Sequence, residues 1–416
     1  MPAWLQTVLT SNVTWAVAAL AVAYLLTLGG IPIYTWWERR GAGLIQRRPG
    51  PNRRGPYGLI QPIADAVKLA VKEDVVPEGA HGLFHALAPM LVMTVALTTF
   101  AVIPWSGNVS LFGKSFRLQV ADLNFGLIYI LAISSIGVYG VALAGWASNN
   151  KYSLLGGLRS AAQMISYEVA MGLAVACMFL VFQTVKLDQM IDAQVGPLWH
   201  WGVFKAPLAF LIFVAAAYAE TNRVPFDLPE AESEIVAGYH TEYSSLRFGL
   251  FYMGEYVHMA ITAAVTVIVF FGGWRLPWVT TVGRYGSLLP WFLFLISIVS
   301  VIVAWDTMRP ARRAVTKGNI LFALILAATA LVSIGLGLFL LVSHVPPWAV
   351  SLSAVVSQLL VFLVKFIVLF WMFIWIRWTM PRMRYDQLMR LGWKVLLPIG
   401  LANLALTSVA VLLGWI

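Results

Sequence analysis

Cysteine is all but absent, with Cys177 the single one in 416 residues. One thiol makes no disulfide within the chain and cannot ligate an iron–sulfur cluster or a structural zinc, so any electron carrier serving this protein belongs to another one. Charge is sparse too, at 11% of residues, and acids are fewer than bases, 18 against 28. His81 and His85 stand four apart, but no further His, Cys or carboxylate follows at metal-ligand spacing. A haem held between helices needs histidines facing each other from different spans, and only His258 lies well inside an apolar run. No Lys or Arg precedes Arg39, so the first apolar run lacks the charged start of a cleaved signal peptide and is expected to remain as a helix.

Apolar residues fill the space that charge leaves. At 60% hydrophobic and a mean hydropathy of +0.81, the composition lies far outside the soluble range. The apolar runs reach the length of about 20 residues that spans a bilayer as helix, and period-two alternation is missing, which disfavours a barrel. The expected fold is all-α: one polytopic membrane domain over residues 1–416, with ten spans near 13–36, 85–104, 123–147, 160–183, 205–220, 247–272, 288–305, 320–344, 351–377 and 394–415. Of the 28 basic residues, 21 fall in the loops after odd-numbered spans and 6 after even-numbered ones, with Lys365 inside the ninth. The positive-inside rule then puts the odd loops in the cytoplasm and both termini outside. It also accounts for the net charge of +10 without any nucleic acid.

One stretch breaks the oily pattern. Residues 220–255 hold seven of the 18 acids, namely Glu220, Asp227, Glu230, Glu232, Glu234, Glu242 and Glu255, with only Arg223 and Arg247 to neutralise them. The part from 220 to 246 is expected as an acidic cytoplasmic-side loop, yet its NRVPFDLP run is too apolar and proline-rich for a merely solvated one. Glu255 falls inside the next span, three residues from His258 on one helix face, where a proton can pass between them. Glu168 lies nine residues beyond Arg159 in the fourth span, roughly 13 Å deeper, beside Ser166 and Tyr167. Carboxylates beside hydrocarbon are expensive and mark ion or substrate paths, with structural hydrogen bonding as the alternative. Asp188 and Asp192 have the D-x-x-x-D spacing of magnesium-dependent prenyl transfer, but no second such motif exists and the topology puts this one outside.

The cytoplasmic loop at 38–84 combines six arginines with glycines and prolines that fix irregular backbone, a shaped surface suited to an acidic partner or a polar headgroup. Within it, residues 56–73 put Leu59, Ile63, Val67 and Ala70 on one face and Gln61, Asp65, Lys68 and Lys72 on another, as in a helix lying in the membrane interface. After the ninth span, Arg377, Arg382, Arg384 and Arg390 surround a single acid, Asp386. Residue types alone point to proton handling within the membrane. A stand-alone proton-coupled transporter would fit them, although no internal repeat supports it.

Four long segments carry a resemblance: GLIQRRPGPNRRGPYGLIQPIADAVKL within 38–73, AAQMISYE at 161–168, ETNRVPFDLPEAESE and the residues after it through Tyr256, and RWTMPRMRYDQLMRLGWKVLLP at 377–398. In this order they resemble the H-type membrane subunit of respiratory complex I, the NADH-quinone oxidoreductase, with weaker likeness to the equivalent subunits of membrane-bound hydrogenases and other quinone-reducing complexes. The resemblance implies a membrane foot for a peripheral arm and a large part of the tunnel that admits quinone. It implies quinone-tunnel positions at Glu38, Arg39, Asp65, Lys68 and Arg377. It implies proton-coupling positions at Glu168, Glu220, Glu230, Glu232, Glu234, Glu242 and Glu255. No catalytic residue, metal or redox cofactor is implied in the chain itself: FMN and iron–sulfur clusters sit in partner subunits, and quinone is the substrate. Implied partners are cluster-bearing and quinone-site subunits, small membrane subunits, antiporter-like subunits and lipid, in a bacterial plasma membrane. That family has an eight-helix core, so the hairpin at 288–344 is expected to be an insertion.

Overall fold

In lipid a backbone must satisfy its own hydrogen bonds, and apolar runs of this length do so as helix. The computed structural model describes residues 11–111, 114–228, 232–279, 282–308, 317–342 and 346–414. Among them, nine helical segments are long and apolar enough to cross a membrane, and the tenth expected span is the shorter apolar helix Pro207–Glu220. The only strands among the described residues are a small antiparallel hairpin, β1 (Val109–Leu111) and β2 (Lys114–Phe116), in one interhelical loop.

The first span is broken. α1 (Asn12–Leu26) and α2 (Ile31–Ile45) meet at a turn where the Thr27 hydroxyl donates back to the Ala23 carbonyl and the Tyr34 hydroxyl to the Leu26 carbonyl, both at 2.8 Å. α2 continues past Glu38 and Arg39, so the first residues of the segment expected as loop are helical. After the 3-10 turn Pro56–Gly58 comes α3 (Gln61–Val71), which leaves Ile63, Val67 and Val71 exposed on the surface, a stripe that suits a helix at a lipid–water boundary.

α4 (Gly82–Thr99), α5 (Gly126–Ala147), α6 (Lys151–Phe182) and α7 (Pro207–Glu220) pack in succession around α8 (Ser245–Phe270). α8 also meets α2, α3 and α11 (Pro347–Thr379). It is the centre of the molecule: 83% of its apolar window is buried, against 17% for α10 (Lys317–Val342). α9 (Val282–Met308) and α10 pack on each other at the periphery, and α9 leans on α11. α12 (Tyr385–Arg390) passes through a π-helical turn, Leu391–Leu396, into α13 (Leu397–Leu412), which packs on α6.

The far end of α8 is closed by polar side chains from elsewhere in the chain. Lys365 of α11 donates to the carbonyls of Phe271, Gly273 and Arg275 at 2.7, 3.0 and 2.5 Å. A cation at a helix C-terminus satisfies its last carbonyls and complements its dipole. The Gln194 amide binds the Ile268 carbonyl and receives the Gly202 and Gly272 amides, tying the segment before α7 to the same end.

Candidate functional site: a buried carboxylate–arginine network

The site begins where α7 runs out. Its last residue is Glu220, and the chain turns through Thr221, Asn222 and Arg223, with Asn222 in the left-handed region at φ 51°. α6 holds that turn: Gln163 Nε2 lies within 3.1 Å of the Ala219 and Phe226 carbonyls and Asn222 Oδ1, and Asn222 donates to the Ser160 hydroxyl. So pinned, the turn sends Arg223 inward, where its side chain is only 5% exposed.

Glu38 meets it from α2. One oxygen of Glu38 accepts from the Tyr256 hydroxyl at 2.5 Å and lies 3.5 Å from Arg223 Nη1, and the other accepts from Arg377 Nη1. Arg223 reaches on to Glu255 at 3.3 Å and lies over the Tyr256 ring, 4.5 Å from its centre. Tyr252, one helical turn from Tyr256, shares a hydroxyl contact with it at 3.0 Å. Burial works against the Arg223 charge, but Glu38, Tyr256 and Glu255 together outweigh it and lift its pKa well above the ordinary arginine range. The guanidinium is therefore a fixed positive charge between two carboxylates.

Glu255 has a second neighbour, His240, whose Nε2 lies 4.0 Å from Glu255 Oε1. His258 lies 3.4 Å from Glu220 Oε1, so its ionisable partner is the end of α7 rather than its own-helix neighbour Glu255. Spacing along one helix puts two side chains on a face, but a carboxylate from the next helix comes closer. Glu220, Glu255 and His258 nonetheless line one cavity of about 50 Å³, and a second of about 20 Å³ continues from Glu220 and His258 toward Thr262. Both exceed the space that one water requires. Glu168 stands beside this file, receiving the hydroxyl of Ser135 from α5, next to Ser134 of both cavity walls.

The remaining acids lie nearer the surface. Glu234 is exposed and pairs with Arg159 at 2.7 Å, and Glu242 accepts from Asn150 at 2.5 Å. Glu232 begins the short helix Glu232–Ile235, but its side chain and the whole of Glu230 lie outside the described residues. Arg39 pairs with Asp65 across α2 and α3, Gln61 supports that carboxylate at 3.0 Å, and Lys68 is exposed one turn further along α3. The expected tunnel group thus divides. Arg39 and Asp65 form a surface pair, whereas Glu38 and Arg377 belong to the buried hub.

His240 and Tyr252 are not among the expected site residues. His240 sits in the 3-10 turn Gly238–His240, and nothing in its immediate sequence distinguishes it from an ordinary turn residue. It reaches the site because α6 offers Gly156 beneath the turn, where a Cβ would stand 2.6 Å from Gly238 Cα. Tyr252 is legible in principle, being four residues before Tyr256 on the face that carries Glu255.

The fold is that of a polytopic α-helical membrane protein, with ion pairs and two water-sized cavities buried near its centre. The family model described as NADH dehydrogenase matches residues 17–408. The chain is 42% identical over 392 residues to an H-type NADH-quinone oxidoreductase subunit of Solibacter usitatus, covering 93% of this chain and 94% of that one. It is 40% identical over 402 residues to NADH-quinone oxidoreductase subunit 8 of Rhodothermus marinus, with 96% and 97% covered. The H-type subunit of Bdellovibrio bacteriovorus is 38% identical over 413 residues, with 94% of each covered. The chain belongs to the H-type subunit family of NADH-quinone oxidoreductase, and it is an integral membrane component of that complex, with other complex I subunits as its partners.

Proposed function

We propose that this subunit forms much of the quinone tunnel and links quinone reduction to proton translocation through Glu38. The observation that carries the reading is the double contact of this one carboxylate, with Arg377 on the tunnel side and with Arg223 and Tyr256 on the side that leads to Glu255. Quinone reduction takes up protons and places transient negative charge near the tunnel. Unit charges 4 Å apart interact by about 4 kcal/mol at an effective dielectric constant of 20, so a change of charge at Glu38 is felt strongly at Arg223 and Glu255. The cavities beside Glu255, His258 and Glu220 supply space for the water that would carry the proton onward, with Glu168 next along the file. Glu230, Glu232, Glu234 and Glu242 complete the acidic side of this path in the cytoplasmic loop.

Arg39, Asp65 and Lys68, on α2 and α3, line the membrane-side mouth of the tunnel. Electrons come from FMN and iron–sulfur clusters in partner subunits of the peripheral arm, and small and antiporter-like membrane subunits receive the coupling signal. The complex sits in a bacterial plasma membrane, with the arginine-rich loop on the cytoplasmic side and both termini outside. α9 and α10 are an insertion into an eight-helix core.

The test is made in the intact complex. Glu38→Gln is expected to lower inhibitor-sensitive NADH-driven quinone reduction at least about tenfold, the factor equivalent to one charge-assisted hydrogen bond. NADH oxidation by a water-soluble acceptor, which needs only the peripheral arm, should stay normal. Glu220→Gln and Glu255→Gln should lower proton pumping in vesicles. Normal quinone reduction and pumping in all three variants would overturn the reading.

A further inference from the structure

The α9–α10 pair lies at the periphery, yet two of its side chains reach the turn that leads into α3. The Tyr57 hydroxyl donates to Asp306 Oδ2 at 2.5 Å, near the cytoplasmic end of α9. Thr307, buried and tied to the Val303 carbonyl at 2.6 Å, lies 3.5 Å from the same hydroxyl. α10 also packs against the turn.

Tyr57 needs such support. Its backbone sits at φ 54°, the left-handed region that disfavours a bulky residue, so the surrounding contacts must select it. From α2, Trp36 Nε1 donates to the Tyr57 carbonyl at 2.8 Å, and the Arg40 guanidinium lies 5.2 Å from its ring centre. Asp306 supplies a further hold, from a helix outside the core. Immediately beyond the turn, through Leu59 and Ile60, α3 begins and brings Asp65 to Arg39 of α2. The same turn that Asp306 grips therefore sets the spacing of α2 and α3.

We propose that Asp306 is a positioning residue for quinone access, with Thr307 as its support: by holding the Tyr57 hydroxyl it fixes α3 against α2 and so sets the opening between them. This rests on the reading of Arg39 and Asp65 as the tunnel mouth. It makes the peripheral hairpin part of the entrance. The ligand concerned is a long-chain quinone, whose apolar tail must follow the headgroup through the gap. A short-chain quinone depends less on the exact width.

Intact complexes carrying Tyr57→Phe, Asp306→Ala, Asp306→Asn, the Tyr57→Phe/Asp306→Ala double change and Asp65→Asn would be compared with long-chain and short-chain quinones. Rates are normalised to NADH oxidation by a water-soluble acceptor. Tyr57→Phe and Asp306→Ala are each expected to raise the KM for long-chain quinone about tenfold, the scale of one lost hydrogen bond to a charged group. Their kcat, and their KM for the short-chain quinone, should change less than about twofold. The double variant should fall short of the sum of the two single effects, because both remove the shared contact, and Asp306→Asn, which keeps an acceptor oxygen, should recover most of the loss. An unchanged long-chain KM in Tyr57→Phe and Asp306→Ala, beside a raised one in Asp65→Asn, overturns the proposal and leaves the mouth at Arg39 and Asp65. An unchanged KM in all of them removes both. Should Asp306→Ala fail to assemble, Tyr57→Phe, which deletes only the hydroxyl, decides the matter alone.

Discussion

Glu38 holds two arginines and a tyrosine at once, and the cost of removing each partner differs by kind. Tyr256→Phe removes a neutral donor from a buried carboxylate and should lower stability by about 1.5–3 kcal/mol. Glu38→Gln strips the buried Arg223 of a counter-charge, a loss on the order of 3–5 kcal/mol. The thermal inactivation midpoint of the purified complex should therefore fall further for Glu38→Gln than for Tyr256→Phe, and the reverse order would contradict the hub geometry. The Arg223 side of the network brings no pH dependence of its own. Its folded pKa is raised, so its contribution is complete below the unfolded arginine pKa and is lost only as pH climbs through the folded value, beyond any working range. Much of this was legible from residue type: charges in an oily chain stand out, and Arg223, Glu255 and Glu220 were all marked by it. What spacing could not supply was partnership. The His258 ring turns to Glu220 across the helix boundary, and Glu38 turns inward to Arg223 and Tyr256 while its neighbour Arg39 pairs with Asp65 at the surface, because these outcomes depend on how the helices pack.

Helix packing here is set by small residues on α6 and by one lysine on α11. In the pair Gly156–Gly157, a Cβ on the first would meet the backbone of Gly238 and Tyr239 at 2.6–2.7 Å, and on the second the Gly145 backbone of α5 at 3.1 Å. Backbone cannot swing aside as a flexible side chain does, so Gly156→Ala must push the His240 turn away from Glu255, at a cost of roughly 1–3 kcal/mol. We expect it to reduce proton pumping per quinone reduced, whereas Gly172→Ala, with open space around the same α6, should be silent. Equal effects in vesicle assays would show that the turn does not depend on close packing. Lys365 is the opposite kind of element device. An intramembrane lysine reads in sequence as a candidate ion-path residue, but here its amine is occupied by three carbonyls beyond the end of α8 and by the Trp201 ring, 4.5 Å from its centre. Lys365→Met should speed amide hydrogen exchange over residues 268–275 and lower the thermal midpoint, while quinone reduction per assembled complex stays near normal. Loss of quinone reduction without faster exchange would assign Lys365 to the reaction path.

For the whole molecule, hydropathy made the helical class readable, because each run must satisfy its own backbone, and nine of the ten expected spans are helices long enough to cross, the fifth being the shorter Pro207–Glu220. Interior and periphery were not readable in the same way, since lipid-facing and protein-facing helices are equally apolar. α8 and α10 have hydropathies of 1.6 and 2.5, yet α8 is the enclosed one and carries Glu255, Tyr256 and His258. The more polar helix is buried because its polar groups find partners only inside. Orientation rests on charge alone, on the 21 to 6 division of Lys and Arg between alternate loops. It has a direct test, because the one native thiol, Cys177, is buried and should not react with a membrane-impermeant maleimide. Arg48 in the arginine-rich loop and Ala193 between α6 and α7 are both exposed, and Arg48→Cys and Ala193→Cys are expected to place reactive thiols on opposite faces. In sealed right-side-out vesicles Ala193→Cys should label and Arg48→Cys should not, and inverted vesicles should exchange the two. Labelling of both thiols from one side would break the alternation of the helices between them, and the opposite pattern would turn the whole protein over and overturn the orientation that the basic residues predict.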